Sequence, residues 1–306
     1  MKNIVELQIP EPKGRGDYMG SGDASTCVGE NKYQSPQQLA TVKQAIRAGT
    51  YQEPQSNTLM RFGSFAGPWV LDEFSEQTGQ VVMDREKWFR HPEHPFIGCH
   101  VDGVTIHKGI PAVVESKTTS LYYSELPQGI IAQVQQQLAC TGYELAFVPV
   151  CRQGRDFHVY EVEADPMYQD FVINKMAEVW GHVLNETLPP PMTPDDFKER
   201  YPDDFGGEAL ASREAVRMVE KLHWLKDAIT KAEDQKTVLE MAIKAEMQEN
   251  ANLVSDDGEI IATWRSTKPR ITFNSKKLKS EYPEIYETYL EIGKPNRPFR
   301  LKGGRT

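Results

Sequence analysis

The segment HVDGVTIHKGIPAVVESKTTS, at residues 100–120, constrains the fold more than any other part of this sequence. Its β-branched runs, separated by the short HKGI turn with Gly109, predict two strands, at 95–106 and 111–119, that pair as a hairpin. The pair also carries Asp102, Glu115 and Lys117. Side chains two positions apart on a strand share a face, so we expect Glu115 and Lys117 to lie together, with Asp102 across the hairpin. Strands this apolar rarely carry charge without a reason, which makes the three residues candidates for chemistry.

Helix and strand patterns alternate around this hairpin. Capping residues and apolar spacing predict helices at 36–48, 67–78, 129–142 and 165–185. Two further strands are predicted at 144–152 and 156–164, joined by a tight turn. Strands and helices mixed in this order favour an α/β core built on a mixed sheet.

The C-terminal third has a different composition. Residues 188–207 are rich in proline and acidic side chains, as in a linker. Residues 209–250 are strongly helical and predict either one long helix or a helical hairpin. We therefore divide the chain into a core at 1–190, a linker at 191–208, and a helical arm with a basic C-terminal region at 209–306.

Composition narrows the class of protein. The four cysteines are scattered, which argues against a disulfide framework or a structural zinc site. No apolar run approaches the ~20 residues of a membrane span. The N-terminus lacks the apolar region of a secretory signal. We expect a reduced, cytoplasmic protein that does not enter a membrane.

Charge is distributed unevenly. The net charge of −9 argues mildly against a nucleic-acid partner. Residues 259–306, however, contain eleven Lys/Arg and five Asp/Glu, a local net charge of +6. Lys268 and Arg270 are candidates for non-specific phosphate binding in this region. The alternative is a solvated basic surface.

The charges of the hairpin suit a metal-dependent reaction. Two carboxylates that leave open positions fit Mg²⁺, which prefers oxygen ligands and keeps bound water; Mn²⁺ is the alternative ion. Lys117 would orient a water or stabilise charge on a phosphate. Gln133, on the helix predicted at 129–142, would face the same site. The alternative is a solvated Glu–Lys pair with an unrelated aspartate in a turn.

Several segments share their order and character with one protein family. They are GSGDASTCVGENKYQSPQQL (20–39), MRFGSFAGPWVLDEFSEQTG (60–79), the VDG and VVESK motifs, IAQVQQQLACTG (131–142), GEIIATWRSTKPR (258–270) and KLKSEYPEIYETYL (277–290). Together they resemble the YqaJ-like viral recombinases, the lambda-type phage exonucleases of the PD-(D/E)XK nuclease superfamily. The resemblance covers nearly the whole chain.

The resemblance implies a PD-(D/E)XK core, with a mixed central sheet flanked by helices and a mainly helical C-terminal extension. It implies a Mg²⁺-dependent 5′→3′ exonuclease that resects double-stranded DNA ends for recombination by single-strand annealing. The implied partners are a single-strand annealing protein and further copies of the chain in a ring, commonly a trimer. The alternatives are another nuclease of the superfamily, of CRISPR-associated or restriction type, and a DNA-end-binding module that has lost cleavage.

The resemblance also assigns roles to single residues. Asp102 and Glu115 would hold Mg²⁺, with the Ser116 carbonyl as a further ligand. Lys117 would activate or orient the attacking water, and Gln133 would sit beside the metal.

The remaining residues either match the family's contacts to the DNA end or mark positions where this sequence departs from the family. Arg15 matches an arginine that grips the 5′-phosphate. Ser21 lies next to Gly22, which occupies the place of the family's usual serine. His100 stands where a serine is frequent. Gly67 replaces a glutamate of the family's metal site, and this departure favours the end-binding alternative.

Overall fold

The computed structural model of the protein describes residues 14–291, 293 and 297–302. These residues form two compact units, one extending to Arg200 and the other starting at Tyr201. The boundary falls within the segment 191–208 that we predicted as a linker. Part of the basic C-terminal region, at 292, 294–296 and 303–306, lies outside the described residues.

The described residues of the first unit form six helices and seven strands, in the following order. They are α1 (Ser21–Cys27), α2 (Pro36–Arg47), α3 (Thr58–Thr78), β1 (Lys87–Arg90), β2 (Gly98–Val101), β3 (Gly103–His107), β4 (Ile110–Val114), β5 (Lys117–Thr119), α4 (Gln128–Thr141), β6 (Leu145–Arg152), β7 (Asp156–Glu163), α5 (Pro166–Leu184) and α6 (Pro194–Arg200).

The central sheet is mixed. Strands β3 and β4 form the predicted antiparallel hairpin. Strand β6 pairs in parallel with both β4 and β5, which follow each other along one of its edges, and pairs antiparallel with β7 on the other. The predicted α/β fold class with a mixed central sheet is therefore confirmed.

Two predicted strands are interrupted at their charged residues. The strand expected at 95–106 breaks at Asp102, since β2 leaves the central sheet and pairs with β1 instead. The strand expected at 111–119 breaks after Val114, because only Lys117–Thr119 resumes the pairing with β6. The expectation of two continuous strands was wrong. The side chains at the two breaks do not follow the alternating orientation of a regular strand.

Helices cover both faces of the sheet. On one face, α4 and α5 pack with inward side chains of alternate strand positions, including Val113, Ala146 and Val148. On the other, Leu71 and Phe74 of α3 pack with the remaining alternate positions, Ala112, Val114, Leu145 and Phe147. Because strand side chains alternate between faces, both layers can be apolar.

Local signals account for the helix ends. The Ser35 hydroxyl accepts a hydrogen bond from the Gln38 amide, and the Gln38 side chain returns to the Ser35 amide, so α2 begins with a complete capping box. Gly79 and Gly142 end α3 and α4 in the left-handed conformation that glycine adopts readily. Helix α3 begins nine residues before the predicted start at 67, because the Asn57 side chain caps it.

Helix α6 is tied to the rest of the first unit through a buried carboxylate. Asp196 accepts hydrogen bonds from the Ser35 hydroxyl at 2.6 Å and from the amides of Met192 and Thr193 at 2.9 Å. Burial raises the pKa of Asp196, but these hydrogen bonds outweigh it and leave the pKa lowered. The segment predicted as a linker thus contains an anchored helix.

The second unit is mainly helical. It contains α7 (Arg213–Met247), β8 (Asn252–Val254), β9 (Ile260–Thr263), α8 (Ser275–Glu281) and α9 (Pro283–Thr288). Of the two forms predicted for 209–250, the single long helix is correct. In the described part of the chain, no helix is long and apolar enough to cross a membrane.

Candidate active site

The two strand breaks place the predicted charges side by side. Asp102 lies between β2 and β3, and Glu115 follows β4. The Glu115 amide still donates to the Phe147 carbonyl of β6 at 3.0 Å, which holds the break against the sheet. Asp102 Oδ2 accepts hydrogen bonds from the Ser116 amide at 2.8 Å and from its hydroxyl at 2.6 Å. The two breaks are therefore joined to each other.

Glu115 is the centre of a hydrogen-bond network. Its Oε1 accepts from Lys117 Nζ at 2.6 Å and from Gln133 Nε2 at 2.6 Å. Its Oε2 accepts from Gln137 Nε2 at 2.7 Å. Lys117 Nζ also donates to Gln133 Oε1 at 3.0 Å. Four side chains thus hold one another in a single arrangement, and α4 supplies both glutamines.

The charge on Glu115 is costly in this setting. Burial raises its pKa, because the side chain is only 5% exposed and the charged form loses its hydration. The charge and hydrogen bond of Lys117 lower the pKa, whereas the charge of Asp102 raises it, and the net shift is upward. Lys117 is 24% exposed, so its ammonium reaches both the buried carboxylate and the open side of the site.

An open cleft of about 550 Å³ leads to these residues. Asp102, Glu115, Ser116 and Lys117 form one wall. Helix α3 lines another part of the cleft, and Arg85 and Glu86 from the segment after α3 also line it. Such a cleft gives a ligand access to both carboxylates.

Gly67 faces the site from α3. A side chain added here would place its Cβ 3.5 Å from Ser116 Oγ, an ordinary van der Waals contact. The glycine therefore leaves space in the cleft at the position where the resemblance predicts a glutamate.

The donor atoms fit Mg²⁺. Two carboxylates and the backbone of Ser116 offer only hard oxygen ligands, the kind that Mg²⁺ prefers. Asp102 Oδ1 accepts no hydrogen bond from the described residues, so one oxygen remains to bind a cation. Within the described ranges, no group of three or more His, Cys, Asp or Glu side chains could hold a metal. Mg²⁺ commonly binds through one or two carboxylates plus water and substrate phosphate, so a two-carboxylate site suffices.

The other predicted site residues lie elsewhere. Arg15 is exposed, and its carbonyl accepts a hydrogen bond from Lys43 Nζ at 2.9 Å. Ser21 is the first residue of α1. His100 packs against Trp88, with ring centroids 4.9 Å apart. It is not among the described residues that line the cleft.

The two basic candidates of the C-terminal region belong to the second unit. Lys268 and Arg270 are exposed and lie between β9 and α8 in chain without regular secondary structure. Their proposed contact with phosphate stays a prediction.

Three residues of the site were not predicted. Gln137 donates to Glu115, and its position four residues after Gln133 was a usable signal, since i and i+4 share a helix face. Arg85 and Glu86 line the cleft from an irregular segment between α3 and β1. No local pattern could have located them.

Fold and site together define an α/β protein with an acid-and-lysine cleft of the PD-(D/E)XK type. A sequence profile of the YqaJ-like viral recombinase domain matches residues 13–144. The uncharacterized protein YqaJ of Bacillus subtilis strain 168 is 30% identical over 288 residues, which are 88% of this chain and 86% of that protein. The chain belongs to the YqaJ-like viral recombinase family, as the resemblance predicted.

Two solved structures align with part of the chain. One is the alkaline exonuclease LHK-Exo from Laribacter hongkongensis, which is 17% identical with a TM-score of 0.49; the alignment covers 56% of this chain and 90% of that one. The other is a phage-related exonuclease from Haemophilus somnus 129PT, which is 10% identical with a TM-score of 0.45; the alignment covers 55% of this chain and 96% of that one.

Proposed function

We propose that the protein is a Mg²⁺-dependent 5′→3′ exonuclease that resects double-stranded DNA ends for recombination by single-strand annealing. One observation carries the proposal: Asp102, Glu115 and Lys117 meet at two strand breaks in the wall of an open cleft. Family membership supports it, because the family consists of viral recombinases.

The chain's own side chains suit phosphodiester hydrolysis. Bound Mg²⁺ would supply an acidified water and polarise the phosphoryl group. Asp102 and Glu115 would hold the ion, with the Ser116 carbonyl as a further ligand. Lys117 would place positive charge where negative charge develops on the phosphate, and such preorganised charge is a large source of rate enhancement.

The glutamines of α4 would act by holding the acid and the lysine in place. Gln133 contacts both Glu115 and Lys117, and Gln137 contacts the second oxygen of Glu115. Their hydrogen bonds restrict the carboxylate and the ammonium to one geometry without adding charge. Less reorganisation is then needed when the substrate binds.

DNA would be bound largely through its phosphates. Arg15 would contact the 5′-phosphate, with Ser21 and His100 as further contacts, and Lys268 and Arg270 would bind the backbone non-specifically. Lys43 supports Arg15, because its buried ammonium donates to the carbonyls of Arg15 and Tyr18 and pairs with Asp23 at 2.7 Å. A single-strand annealing protein would bind the strand that resection exposes. The reaction would take place in the cytoplasm. Several copies of this chain would form a ring that encloses the DNA.

The first experiment incubates the full chain with linear duplex DNA bearing 5′-phosphates and a 3′ label, with Mg²⁺ or with EDTA. We expect mononucleotides to appear only with Mg²⁺, while the 3′ label stays on the long product. A matched duplex with phosphorothioate linkages at both 5′ ends should resist degradation. Degradation in EDTA, or early release of the 3′ label, would contradict the proposed metal dependence or polarity.

The alternative function, a DNA-end-binding module without cleavage, is favoured by Gly67 alone. Binding to DNA ends without release of nucleotides under any of these conditions would support that alternative. The substitution Gly67→Glu then becomes informative in either case, since the added Cβ makes only an ordinary van der Waals contact and the position lines the open cleft.

We expect Gly67→Glu to lower the Mg²⁺ concentration needed for half-maximal cleavage about tenfold, because a third carboxylate increases the attraction for the cation. Metal binding should tighten likewise, measured directly by titration of Mn²⁺ with calorimetry. The control is Gly63→Glu, which adds the same charge to the same cleft one helical turn earlier. Equal effects of both variants would show that charge alone, and not the position of Gly67, matters.

A further inference from the structure

Helix α7 exposes an apolar seam along most of its length. The helix has 35 residues, which corresponds to about 52 Å at the rise of an α-helix. Eight positions follow one another at alternating steps of four and three residues, and we call them the α7 seam. They are Met218, Leu222, Leu225, Ile229, Ala232, Lys236, Leu239 and Ile243.

The spacing of the α7 seam is that of a coiled coil. A repeat of 3.5 residues keeps one stripe of a helix facing a partner helix over its whole length. Seven of the eight seam positions are apolar, and Lys236 is the exception. A single polar residue in such a seam is a known device for setting register at some cost in stability. The period therefore indicates a helix partner.

The seam is exposed. Ile229 is 56% exposed, Leu239 is 64% exposed and Met218 is 59% exposed. A long helix in water draws most of its stability from packing of an apolar face, and exposed apolar stripes mark interaction sites. Other exposed apolar residues of α7, at Trp224, Val238 and Met241 among others, lie off the seam, and charged residues at Asp227, Lys231 and Asp234 interrupt the stripe that would join them.

Charge along α7 identifies the partner. Residues 213–226 contain four basic and two acidic residues, whereas residues 233–247 contain two basic and four acidic residues. One half of the helix is therefore positive and the other negative. A second copy lying antiparallel brings each positive half against a negative half, and a parallel copy brings like charges together.

Residues beside the seam give the same result. Lys221 and Lys226 flank the seam on its two sides and are five residues apart. A parallel pair would therefore set Lys221 of one helix against Lys226 of the other. In an antiparallel pair centred on the seam, Met218 lies opposite Ile243 and Ile229 opposite Ala232. Lys226 then lies beside Glu233 of the other copy, and this attractive contact occurs twice by symmetry.

We propose that α7 pairs with α7 of a second copy of this chain as an antiparallel two-stranded coiled coil. The inference is independent of the nuclease function, because it uses only the second unit. It assigns the apolar surface of the long helix to self-association by an isologous interface, in which the same patch serves both copies.

The first test measures the molar mass of the full chain without DNA by analytical ultracentrifugation. The variant Ile229→Glu/Leu239→Glu should halve the molar mass and weaken association about 100-fold or more, because it buries charges in the seam opposite apolar positions. The control Trp224→Glu/Met241→Glu adds the same charge off the seam and should associate like the wild type. A wild-type chain that sediments as one copy, or a seam variant that keeps its mass, overturns the proposal.

The second test determines orientation. Lys226→Glu and Glu233→Lys should each weaken association about threefold or more, and the double reversal should restore it. A parallel pair predicts the opposite for Lys226→Glu, which would relieve repulsion from Lys221. Stronger association of that variant overturns the antiparallel arrangement.

Cross-linking gives an independent measure of orientation. Met218→Cys and Ile243→Cys should form a disulfide-linked dimer only when the two variants are mixed. The four native cysteines are buried and do not interfere in the folded chain. Efficient cross-linking of either variant alone, or a mixture without cross-links, overturns the proposal.

Discussion

Replacing Lys117 with alanine is expected to reduce the rate of DNA cleavage by about 10²–10³-fold while leaving the affinity for DNA ends nearly unchanged. The ammonium contacts the buried Glu115 at 2.6 Å and lies on the open side of the site, where charge would build on the phosphate. Its loss removes a preorganised positive charge from the reacting position. Single-turnover cleavage of a 3′-labelled duplex and equilibrium binding in Ca²⁺ separate the two effects.

The Lys117→Ala substitution also affects folding stability, so controls must distinguish a loss of stability from a loss of cleavage. Alanine leaves the Glu115 carboxylate buried without its cation, which costs stability. Lys117→Gln keeps hydrogen bonds to Glu115 and Gln133 while removing the charge, so it should fold better and cleave as poorly. Lys108→Ala, in the exposed turn of the same hairpin, is the matched control and should cleave normally. Retention of wild-type cleavage by Lys117→Gln would exclude the proposed role of the charge.

Glu115→Gln is expected to abolish detectable cleavage and, without metal, to make the protein more stable. The charge is lost where a cation would bind, yet the amide has nearly the same shape as the carboxylate. Gln137 can adapt, because its Oε1 is buried without a hydrogen-bond partner among the described residues. A flip of the Gln137 amide lets this oxygen accept from the new amide. The buried negative charge is removed, and a hydrogen bond between the two side chains is kept.

The gain in stability should depend on pH in a defined direction. Burial raises the pKa of Glu115 in the folded state above its ordinary value of 4.5. The folded state then binds this proton more tightly than the unfolded state does. Its contribution to stability is complete below about pH 4.5 and is lost as the pH rises through the raised pKa. The free energy of unfolding of Glu115→Gln should therefore increasingly exceed that of the wild type as the pH rises.

Urea unfolding in EDTA at several pH values measures this difference. The control Glu125→Gln removes the same charge at an exposed position. Its free energy of unfolding should differ from that of the wild type by an amount that depends little on pH. A wild type that gains stability relative to Glu115→Gln as the pH rises would show that Lys117 and the glutamines outweigh the cost of burial. Cleavage by Glu115→Gln at the wild-type rate would refute the metal-binding role.

Helix ends could be predicted from the sequence because their signals are local. The Ser35 cap and the terminal Gly79 and Gly142 act on backbone groups within a few residues. The start of α3 was missed although Asn57 is a capping residue, because the segment after it exposes apolar side chains such as Leu59 and Phe65. Amphipathic spacing is a weak guide where a helix face has no core to cover.

The sequence by itself determined the hairpin, its charged residues and Gln133 on the helix that follows. It also determined the family. Only the tertiary structure decided that the strands break at Asp102 and Glu115, and that Arg85 and Glu86 join the cleft. Strand pairing depends on which edge is available: β2 takes the preceding strand β1 as its partner, and β5 takes β6. The propensity of one strand holds no information on that choice, because the hydrogen bonds and the burial that decide it come from residues outside the strand.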